Sequence, residues 1–456
     1  MNGPLISVVV PTRDRNDAVQ RLLRALAADT SAPPLEVIVV DDGSSDGTGD
    51  ALRQLSPRYP FTLIEQHGHG PARARNAGAA VARGQVLLFL DDDVEPLPGT
   101  LAAHAAFHRG HELRIGIGDL PVVVDETSYF GRILRGWWEM MLVEMRKPGH
   151  RFAFTNLLTG HVSIRRARFD ALRGFDPELR CHEDWEFGYR ALEAGLQLGF
   201  VPGAVARHHE TSDLAKAFGR KFDEGVADIR LTERHPELAC AFPFSWPIAS
   251  RKARALRRLI FVAPHVATRI AQYFERLLRV YEVTNLRFRW RRTLELLLVY
   301  HYWRGVRSVV PDRRDVSALI QLPEPSPANP FTVDLASGLD TAARHIDSAR
   351  PSSMVLVLGD ELIGVVREWP GLEPLRGEHL RPLLARGFRQ PYLRALARRG
   401  AVPAALMVAA PALSEAGGNV THTGTPFVRD VELPAQSGVS RDLQHRTAVP
   451  PVHDVA

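Results

Sequence analysis

Three consecutive aspartates, Asp91, Asp92 and Asp93, follow directly on the apolar run Val86 to Leu90 in the sequence VLLFLDDDVEPLPG. The uninterrupted apolar run predicts a strand that is buried on both faces. Carboxylates held this close repel one another, and they lose hydration where the chain is buried. Residues two apart in an extended segment point the same way, so Asp91 and Asp93 can face one divalent cation that offsets the charge. Oxygen ligands favour Mg²⁺ or Mn²⁺, which usually take further ligands from water and substrate phosphates.

Polar residues also follow two other predicted strands. The sequence PTRD, which includes Thr12, follows the strand at 5–10, and DDGSSDGT, which begins with Asp41 and Asp42, follows the strand at 35–40. Because ligands bind at the carboxyl ends of strands in open parallel sheets, these residues and the aspartates are expected to line one site. A tight turn with a helix cap is the alternative for the second segment.

A nucleotide diphosphate is the ligand that such a site suits. The glycine motif of dinucleotide-binding proteins would have to follow the first strand, where this chain has PTRDRN, and the P-loop pattern is also missing. We therefore expect the diphosphate to be held mainly by metal and side chains, and not by a glycine-rich loop.

The elements that must position these residues alternate along residues 5–110. Apolar runs predict four strands, at 5–10, 35–40, 61–66 and 85–90, and helical spacing predicts helices at 16–28 and 72–84. The alternation of strand and helix predicts an α/β domain with a mostly parallel sheet flanked by helices. Residues 111–235 are expected to be mixed α/β, with a long helix near 129–146.

The length of 456 residues predicts more than one unit. We expect an α/β domain at 1–235, a basic amphipathic helical region at 236–315, a linker at 316–350, a small α/β module at 351–410 and a disordered tail at 411–456. Within the small module, residues 352–368 are predicted to form a hairpin.

Cysteine usage and hydropathy indicate the compartment. The two cysteines, Cys181 and Cys240, lack the spacing of a metal site, which favours a reducing, cytoplasmic setting. The amino terminus has no signal-peptide pattern, and no run reaches the length of about 18 apolar residues that a membrane helix requires.

Residues 251–310 alternate arginine clusters with leucine and aromatic residues. This composition suits two arrangements, which the sequence leaves open. The helices can pack on the rest of the protein with their arginines outward, or they can contact an anionic membrane surface at the inner face of the cell membrane. Nucleic acid is not expected as a partner, although arginines also bind phosphates.

Together these motifs resemble the family 2 glycosyltransferases, which have the GT-A fold. The matching segments occur in the family's order: SVVVPTRDR (7–15), VIVVDDGSSDGT (37–48), GPARARNAGAA (70–80), LLFLDDDVEP (87–96), GHVSIRRARFDALRGFDP (160–177) and HEDWEFGYRALEAG (182–195). The resemblance covers residues 5–215. It implies metal-dependent, inverting transfer of a sugar from a nucleotide-diphosphate sugar, with uridine as the default nucleotide, to a hydroxyl of a saccharide or lipid-linked acceptor.

By this resemblance the aspartate triplet is the metal motif. Asp93 would be the direct ligand, Asp92 would lie near the donor ribose, and Asp91 would orient or share the site. Related enzymes often place a metal-binding histidine after the helix that carries the base. That makes His208, or less favourably His209, a further candidate ligand, and a surface histidine pair is the alternative.

The resemblance also implies a nucleotide pocket. Asp42, with Asp41 beside it, would contact the base and ribose, and Thr12 would line the pocket. Arg75 would lie near the base or the phosphates; a solvated charge on a helix is the alternative.

Inverting transfer requires a carboxylate that accepts the proton of the acceptor hydroxyl while positive charge stabilises the leaving group. The resemblance assigns Asp184 as this base, with Glu183 helping to bind the acceptor; a helix cap with a first-turn acid is the alternative. Trp185 offers a wall on which a sugar ring can stack, or it is part of the core. His161 stands where the family usually has a small or amide residue, and it is predicted to contact the acceptor.

One missing motif defines the expected reaction further. The Gln-x-x-Arg-Trp motif of processive members is absent after Asp184, so a non-processive enzyme is expected.

Rival functions are an inactive GT-A domain that serves as a binding or scaffold protein, and a nucleotidyltransferase. The intact Asp93 and Asp184 argue against the first rival. The second would require a glycine-rich, lysine-containing loop in place of PTRDRN.

Overall fold

The computed structural model describes residues 5–246, 250–320, 331–401 and 431–432. The chain divides into two units, Met1–Glu324 with Pro370–Glu373, and Pro325–Trp369 with Pro374–Ala456. The predicted tail at 411–456 lies outside the described residues except for 431–432, and so do the prolines that mark the predicted linker.

The described residues of the first unit form a nine-stranded sheet. Its strands are β1 (Ile6–Thr12), β2 (Leu35–Asp41), β3 (Phe61–Glu65), β4 (Val86–Leu90), β5 (Val94–Pro96), β6 (Arg114–Asp119), β7 (Val122–Val123), β8 (His161–Arg165) and β9 (Gln197–His209). The strand order is β3-β2-β1-β4-β8-β6-β9-β5, and β7 pairs with β9. Strands β1 to β4 pair in parallel, whereas β8 runs antiparallel to both β4 and β6. The predicted mostly parallel α/β sheet is confirmed, and the antiparallel insertion of β8 is an addition to it.

Helices flank this sheet and continue beyond it. They are α1 (Asn16–Ala28), α2 (Thr48–Arg53), α3 (Pro71–Val81), α4 (Thr100–Phe107), α5 (Tyr129–Met145), α6 (Arg166–Ala171), α7 (Glu183–Glu193), α8 (Leu214–Arg234), α9 (Arg251–Val262), α10 (Pro264–Val283), α11 (Arg287–Val309) and α12 (Arg313–Ala318). Short 3-10 helices lie at Phe154–Asn156, Pro236–Ala241 and Pro243–Ser245. Among the described residues, no helix combines the length and apolarity needed to cross a membrane.

The local patterns explain why these elements form. In α1 the buried residues Val19, Leu22, Leu23 and Leu26 recur at helical spacing, so one face packs against the sheet and the other meets solvent. All five residues of β4 are buried, as expected for a central strand covered on both faces.

The helical region at 251–309 packs within the same unit as the sheet, with α11 against α8. Two glycines allow the close crossing of these helices. A Cβ atom on Gly305 would lie 2.0 Å from the carbonyl oxygen of Phe222, and one on Gly225 would lie 2.2 Å from the carbonyl oxygen of Tyr302. The basic region therefore contributes buried residues such as Trp290 to the core.

We expect Gly305→Ala to destabilise the first unit by about 1–3 kcal/mol, because the added methyl group meets backbone that cannot rotate away. Gly219→Ala is the matched control. It lies on α8 with no atom within 4 Å of an added Cβ, so it should stabilise by roughly 0.5–1 kcal/mol through helix propensity. Urea denaturation of both variants would show the opposite signs, and equal midpoints would contradict the close crossing.

The second unit is a small α/β module. Its described elements are β10 (Thr332–Asp334), β11 (Met354–Leu358), β12 (Glu361–Val366), β13 (Val431–Glu432), α13 (Leu339–Ala349), α14 (Gly377–Arg386) and α15 (Arg389–Arg398). Strands β11 and β12 pair antiparallel and confirm the predicted hairpin at 352–368.

Candidate active site

The polar residues that follow β1, β2 and β4 meet at one edge of the sheet. The register of β1 and β2 places Thr12 opposite Asp41. The hydroxyl of Thr12 donates a hydrogen bond of 2.8 Å to the Oδ2 atom of Asp92, which follows β4. The prediction that the residues after β1, β2 and β4 lie together at one edge of the sheet is therefore confirmed.

Two arginines offset the charge of the aspartate triplet. Arg75, buried on α3, donates a hydrogen bond of 2.6 Å from Nη2 to Oδ1 of Asp91. Arg15, which immediately precedes α1, donates from Nη1 to Oδ1 of Asp92 at 3.0 Å and also to Asp93. The triplet is thus divided, with one aspartate paired to a buried cation and two sharing a partly exposed one.

The pKa values reflect this division. Burial alone would raise the pKa of Asp91, but Arg75 holds it below its ordinary value. Burial raises the pKa of Asp92 to about 7 in spite of Arg15, and burial together with Asp91 raises the pKa of Asp93. Arg15 therefore offsets the charge on these two carboxylates only in part, and a cation of higher charge would stabilise their ionised forms.

His208 lies beside Asp93 because β5 and β9 pair. The register sets Val94 opposite His208, and the Nε2 atom of His208 lies 3.6 Å from Oδ1 of Asp93. His209 instead hydrogen-bonds Glu95 at 2.6 Å. Of the two histidines, the structure brings His208 to the aspartates.

The predicted ligand set of Asp91, Asp93 and His208 stays a prediction. No group of three or more His, Cys, Asp and Glu side chains in the described part of the chain is arranged to hold a metal ion. The Oδ1 atom of Asp91 accepts a hydrogen bond from Arg75, whereas Asp93 and His208 lie beside each other.

The pair of Asp93 and His208 nevertheless suits a divalent ion chemically. A carboxylate oxygen and an imidazole nitrogen are ordinary ligands of Mn²⁺, and Mg²⁺ accepts the oxygen. The Nδ1 atom of His208 is buried without a hydrogen-bond partner among the described residues. No hydrogen bond from Nδ1 to those residues therefore prevents the ring from turning towards a bound ion.

Arg75 also links the triplet to the start of α7. Its Nη1 atom donates a hydrogen bond of 2.7 Å to Oε1 of Glu183, which is buried. The next residue, Asp184, is partly exposed. Burial, followed by the neighbouring Glu183, raises the pKa of Asp184 to about 6. The predicted base is thereby placed near the strand-end edge, whereas Glu183 and Arg75 are engaged with each other.

The predicted acceptor contacts have different surroundings. Trp185 is partly buried, and its ring stacks on His182 with centroids 3.6 Å apart, so His182 covers one face. His161 is fully buried in β8, where its Nε2 atom lies 3.0 Å from Nε2 of His104. Because β8 is an interior strand between β4 and β6, the ring of His161 is enclosed in this structure, and its contact with an acceptor stays a prediction.

The acids after β2 order the loops beside the edge. Asp42 accepts hydrogen bonds from the backbone N–H groups of His69 and Gly70, at 2.7 and 2.8 Å. Asp41 accepts one from the N–H of Ser44 at 2.9 Å. Both aspartates are buried, and their contact with a nucleotide remains a prediction, as does that of Thr12.

Arg15 is the site residue that sequence reasoning missed. It lies within the PTRDR segment, which was assigned to the site, but the sequence does not indicate which acidic residue a lone arginine after a strand will contact. Its pairing with Asp92 and Asp93 spans 77 and 78 residues of chain.

The fold and site define an α/β protein whose parallel strands end at an acidic edge, and comparison with known proteins identifies the family. The chain matches the family model described as Glycosyl transferase family 2 over residues 7–173. It is 38% identical over 235 residues to the glycosyltransferase AglE of Haloferax volcanii, covering 50% of this chain and 74% of that protein. The chain therefore belongs to glycosyl transferase family 2.

Other similarities are more distant or partial. The chain is 31% identical over 268 residues to a validoxylamine A glucosyltransferase of Streptomyces hygroscopicus subsp. limoneus, covering 52% of this chain and 58% of that protein. It thus spans less than two thirds of that relative's length. A solved mannosyltransferase of Pyrobaculum calidifontis, in complex with GDP-Man and Mn²⁺, superposes with a TM-score of 0.45 at 19% identity, covering 66% of this chain and 88% of that one.

Proposed function

We propose that the protein is a metal-dependent, inverting and non-processive glycosyltransferase that uses a nucleotide-diphosphate sugar. The acceptor would be a hydroxyl group of a saccharide or a lipid-linked saccharide. The observation that carries the proposal is the Arg75 bridge, which ties Asp91 of the acidic edge to Glu183 at the start of α7. Because this bridge links the acidic edge to the start of α7, it supports a base and a diphosphate site that lie close together.

Asp184 is the carboxylate best suited to act as the base. Glu183 and Asp91 are paired with Arg75, whereas Asp184 is partly exposed and burial raises the pKa of its carboxyl to about 6. In the proposed step its carboxylate accepts the proton of the acceptor hydroxyl. The acceptor oxygen bonds to the anomeric carbon as the bond from that carbon to the diphosphate oxygen breaks, and the nucleotide diphosphate leaves with the electron pair.

The diphosphate would lie at the acidic edge. Asp93 and His208 would hold a divalent ion, Mn²⁺ or Mg²⁺, which when bound neutralises the leaving diphosphate. Arg15 is partly exposed, and its guanidinium would be free to turn from the aspartates to a phosphate oxygen. Asp41, Asp42 and the loops that they order would form the base and ribose side, with uridine as the default nucleotide.

Nucleotide binding can be tested without an acceptor. We expect Mn²⁺-dependent thermal stabilisation by one of UDP, dTDP and GDP, or their sugars, equivalent to about 2.7 kcal/mol at a hundredfold excess over the dissociation constant. Asp93→Ala should remove the dependence on Mn²⁺, because the principal ligand is lost. Asp17→Ala, an exposed acid in the first turn of α1, is the control and should behave as the unmodified protein. An absence of stabilisation by every nucleotide would contradict the proposal and favour an inactive scaffold.

A further inference from the structure

Helix α10 carries two apolar stripes, of which only one is covered. The first stripe packs inward and includes the buried Ala267, Ala271 and Leu278. The second stripe faces solvent with alternating spacings of four and three residues: Val266, Ile270, Tyr273, the half-buried Leu277, and Val280. Residues at this spacing share one face of a helix. The exposed stripe therefore runs for about 21 Å along α10.

A basic row borders the exposed stripe. Arg269, Arg276 and Arg279 are exposed, and each precedes a stripe residue by one position, which places the arginines along one side of the stripe. The two acids of α10 contact neighbouring helices instead. Glu275 hydrogen-bonds His301 at 3.1 Å, and Glu282 accepts from the backbone N–H of Tyr129 at 3.4 Å.

The turn from α10 to α11 extends this surface. Val283 and Phe288 are 87% and 72% exposed, and Leu286 between them is also exposed. Four exposed arginines accompany them: Arg287, Arg289, Arg291 and Arg292. We call the stripe from Val266 to Val280 together with Val283, Leu286 and Phe288 the α10 surface.

We propose that the α10 surface binds an anionic membrane, with α10 lying in the plane of the interface. A helix with exposed apolar residues along one side and arginines beside them matches the boundary between acyl chains and acidic headgroups. Charge complementarity selects this occupant. A second copy of the surface would set arginines against arginines, and nucleic acid would leave the apolar stripe uncovered. Within the described part of the chain, the ion-pair partners of the three aspartates are Arg15, Arg75 and His208, and none of these belongs to the α10 surface. The proposal therefore does not depend on glycosyl transfer, although a lipid-linked acceptor would make it useful.

Vesicle co-sedimentation of the full chain tests the proposal. We expect binding to vesicles of phosphatidylcholine mixed with phosphatidylglycerol, weakened by added salt, and little binding to phosphatidylcholine alone. Ile270→Ser, Tyr273→Ser and Phe288→Ser together should abolish sedimentation with the mixed vesicles. Val81→Ser with Leu113→Ser, which alters exposed apolar residues elsewhere in the unit, should leave it unchanged.

A charge variant separates the two contributions to binding. Arg269→Gln, Arg276→Gln and Arg279→Gln together should lower the affinity for mixed vesicles by roughly a hundredfold. Because all these side chains are exposed, thermal unfolding and nucleotide-dependent stabilisation should stay as in the unmodified protein, which keeps this test separate from that of the proposed activity. Full vesicle binding by the serine variant would overturn the proposal. So would an unmodified protein that ignores anionic vesicles but forms a dimer that the serine substitutions dissociate.

Discussion

Asp184→Asn should lower the rate of sugar transfer by about 10²–10⁴-fold, the range typical for loss of a general base. The amide keeps the size of the side chain but cannot accept a proton from the acceptor hydroxyl. The Arg75 pairs with Asp91 and Glu183 do not involve Asp184, so the nucleotide site should remain intact. Transfer would be assayed with the sugar donor whose nucleotide stabilises the protein in the thermal-shift measurement. The variant should lose turnover and still bind this donor.

Glu193→Gln is the matched control for this variant. Glu193 is an exposed acid on the same helix, at its carboxyl end, so the substitution removes an equal charge away from the acidic edge. Its transfer rate should equal that of the unmodified protein. If Asp184→Asn turned over as fast as this control, the base would have to be another group.

The pH dependence of transfer gives a second readout of the same residue. The active form is the carboxylate, and the pKa of Asp184 lies at about 6 because of burial and the neighbouring Glu183. The rate should therefore be near its plateau above this pH and should fall about tenfold per pH unit below it. The residual rate of Asp184→Asn should lack the fall that protonation of Asp184 causes and keep only the pH dependence that comes from Asp92 and Asp93, whose pKa values burial also raises.

Arg75→Met should destabilise the first unit by about 3–5 kcal/mol, the usual cost of removing one partner from a buried ion pair. The change leaves the carboxylates of Asp91 and Glu183 without their shared cation, and Glu183 is buried. Urea denaturation followed by tryptophan fluorescence would report the loss. Nucleotide-dependent stabilisation should weaken as well, because Asp91 adjoins the proposed diphosphate site.

Two further variants isolate the ion pairs from the loss of a long side chain. Arg73→Met removes an exposed arginine from the same helix and should change stability by less than about 1 kcal/mol. Combining Arg75→Met with Asp91→Asn and Glu183→Gln removes the uncompensated charges and should recover part of the stability. Equal destabilisation by Arg73→Met and Arg75→Met would show that the ion pairs of Arg75 add nothing to the free energy of unfolding beyond the loss of a long side chain.

Local pattern was sufficient for the framework of the site. The apolar runs before Thr12, Asp41 and Asp91 predicted β1, β2 and β4, and the structure places these strands side by side with their polar sequels at one edge. The helical spacing of apolar residues likewise predicted α1 and its buried face. These features follow from residues close in sequence, because alternation and helical spacing report directly on which face of an element is buried.

Long-range packing decided the remainder. The insertion of β8 between β4 and β6 buried His161, and the mixed sequence HVSIR of β8 has no uninterrupted apolar run that would predict an interior strand. The same holds for charge. Arg75 contacts Glu183, which lies 108 residues further along the chain. In the sequence Arg75 could equally be a solvated charge on a helix, whereas in the structure it is a buried ion-pair partner.

The basic helices show the division most plainly. Sequence alone determined that residues 251–310 combine arginines with apolar residues, and that the motifs of a family 2 glycosyltransferase precede them. Only the tertiary structure decided which apolar stripe of α10 is covered, because that depends on how α9 and α11 pack around it. A stripe's composition is a local property, whereas its exposure depends on neighbours that are distant in sequence.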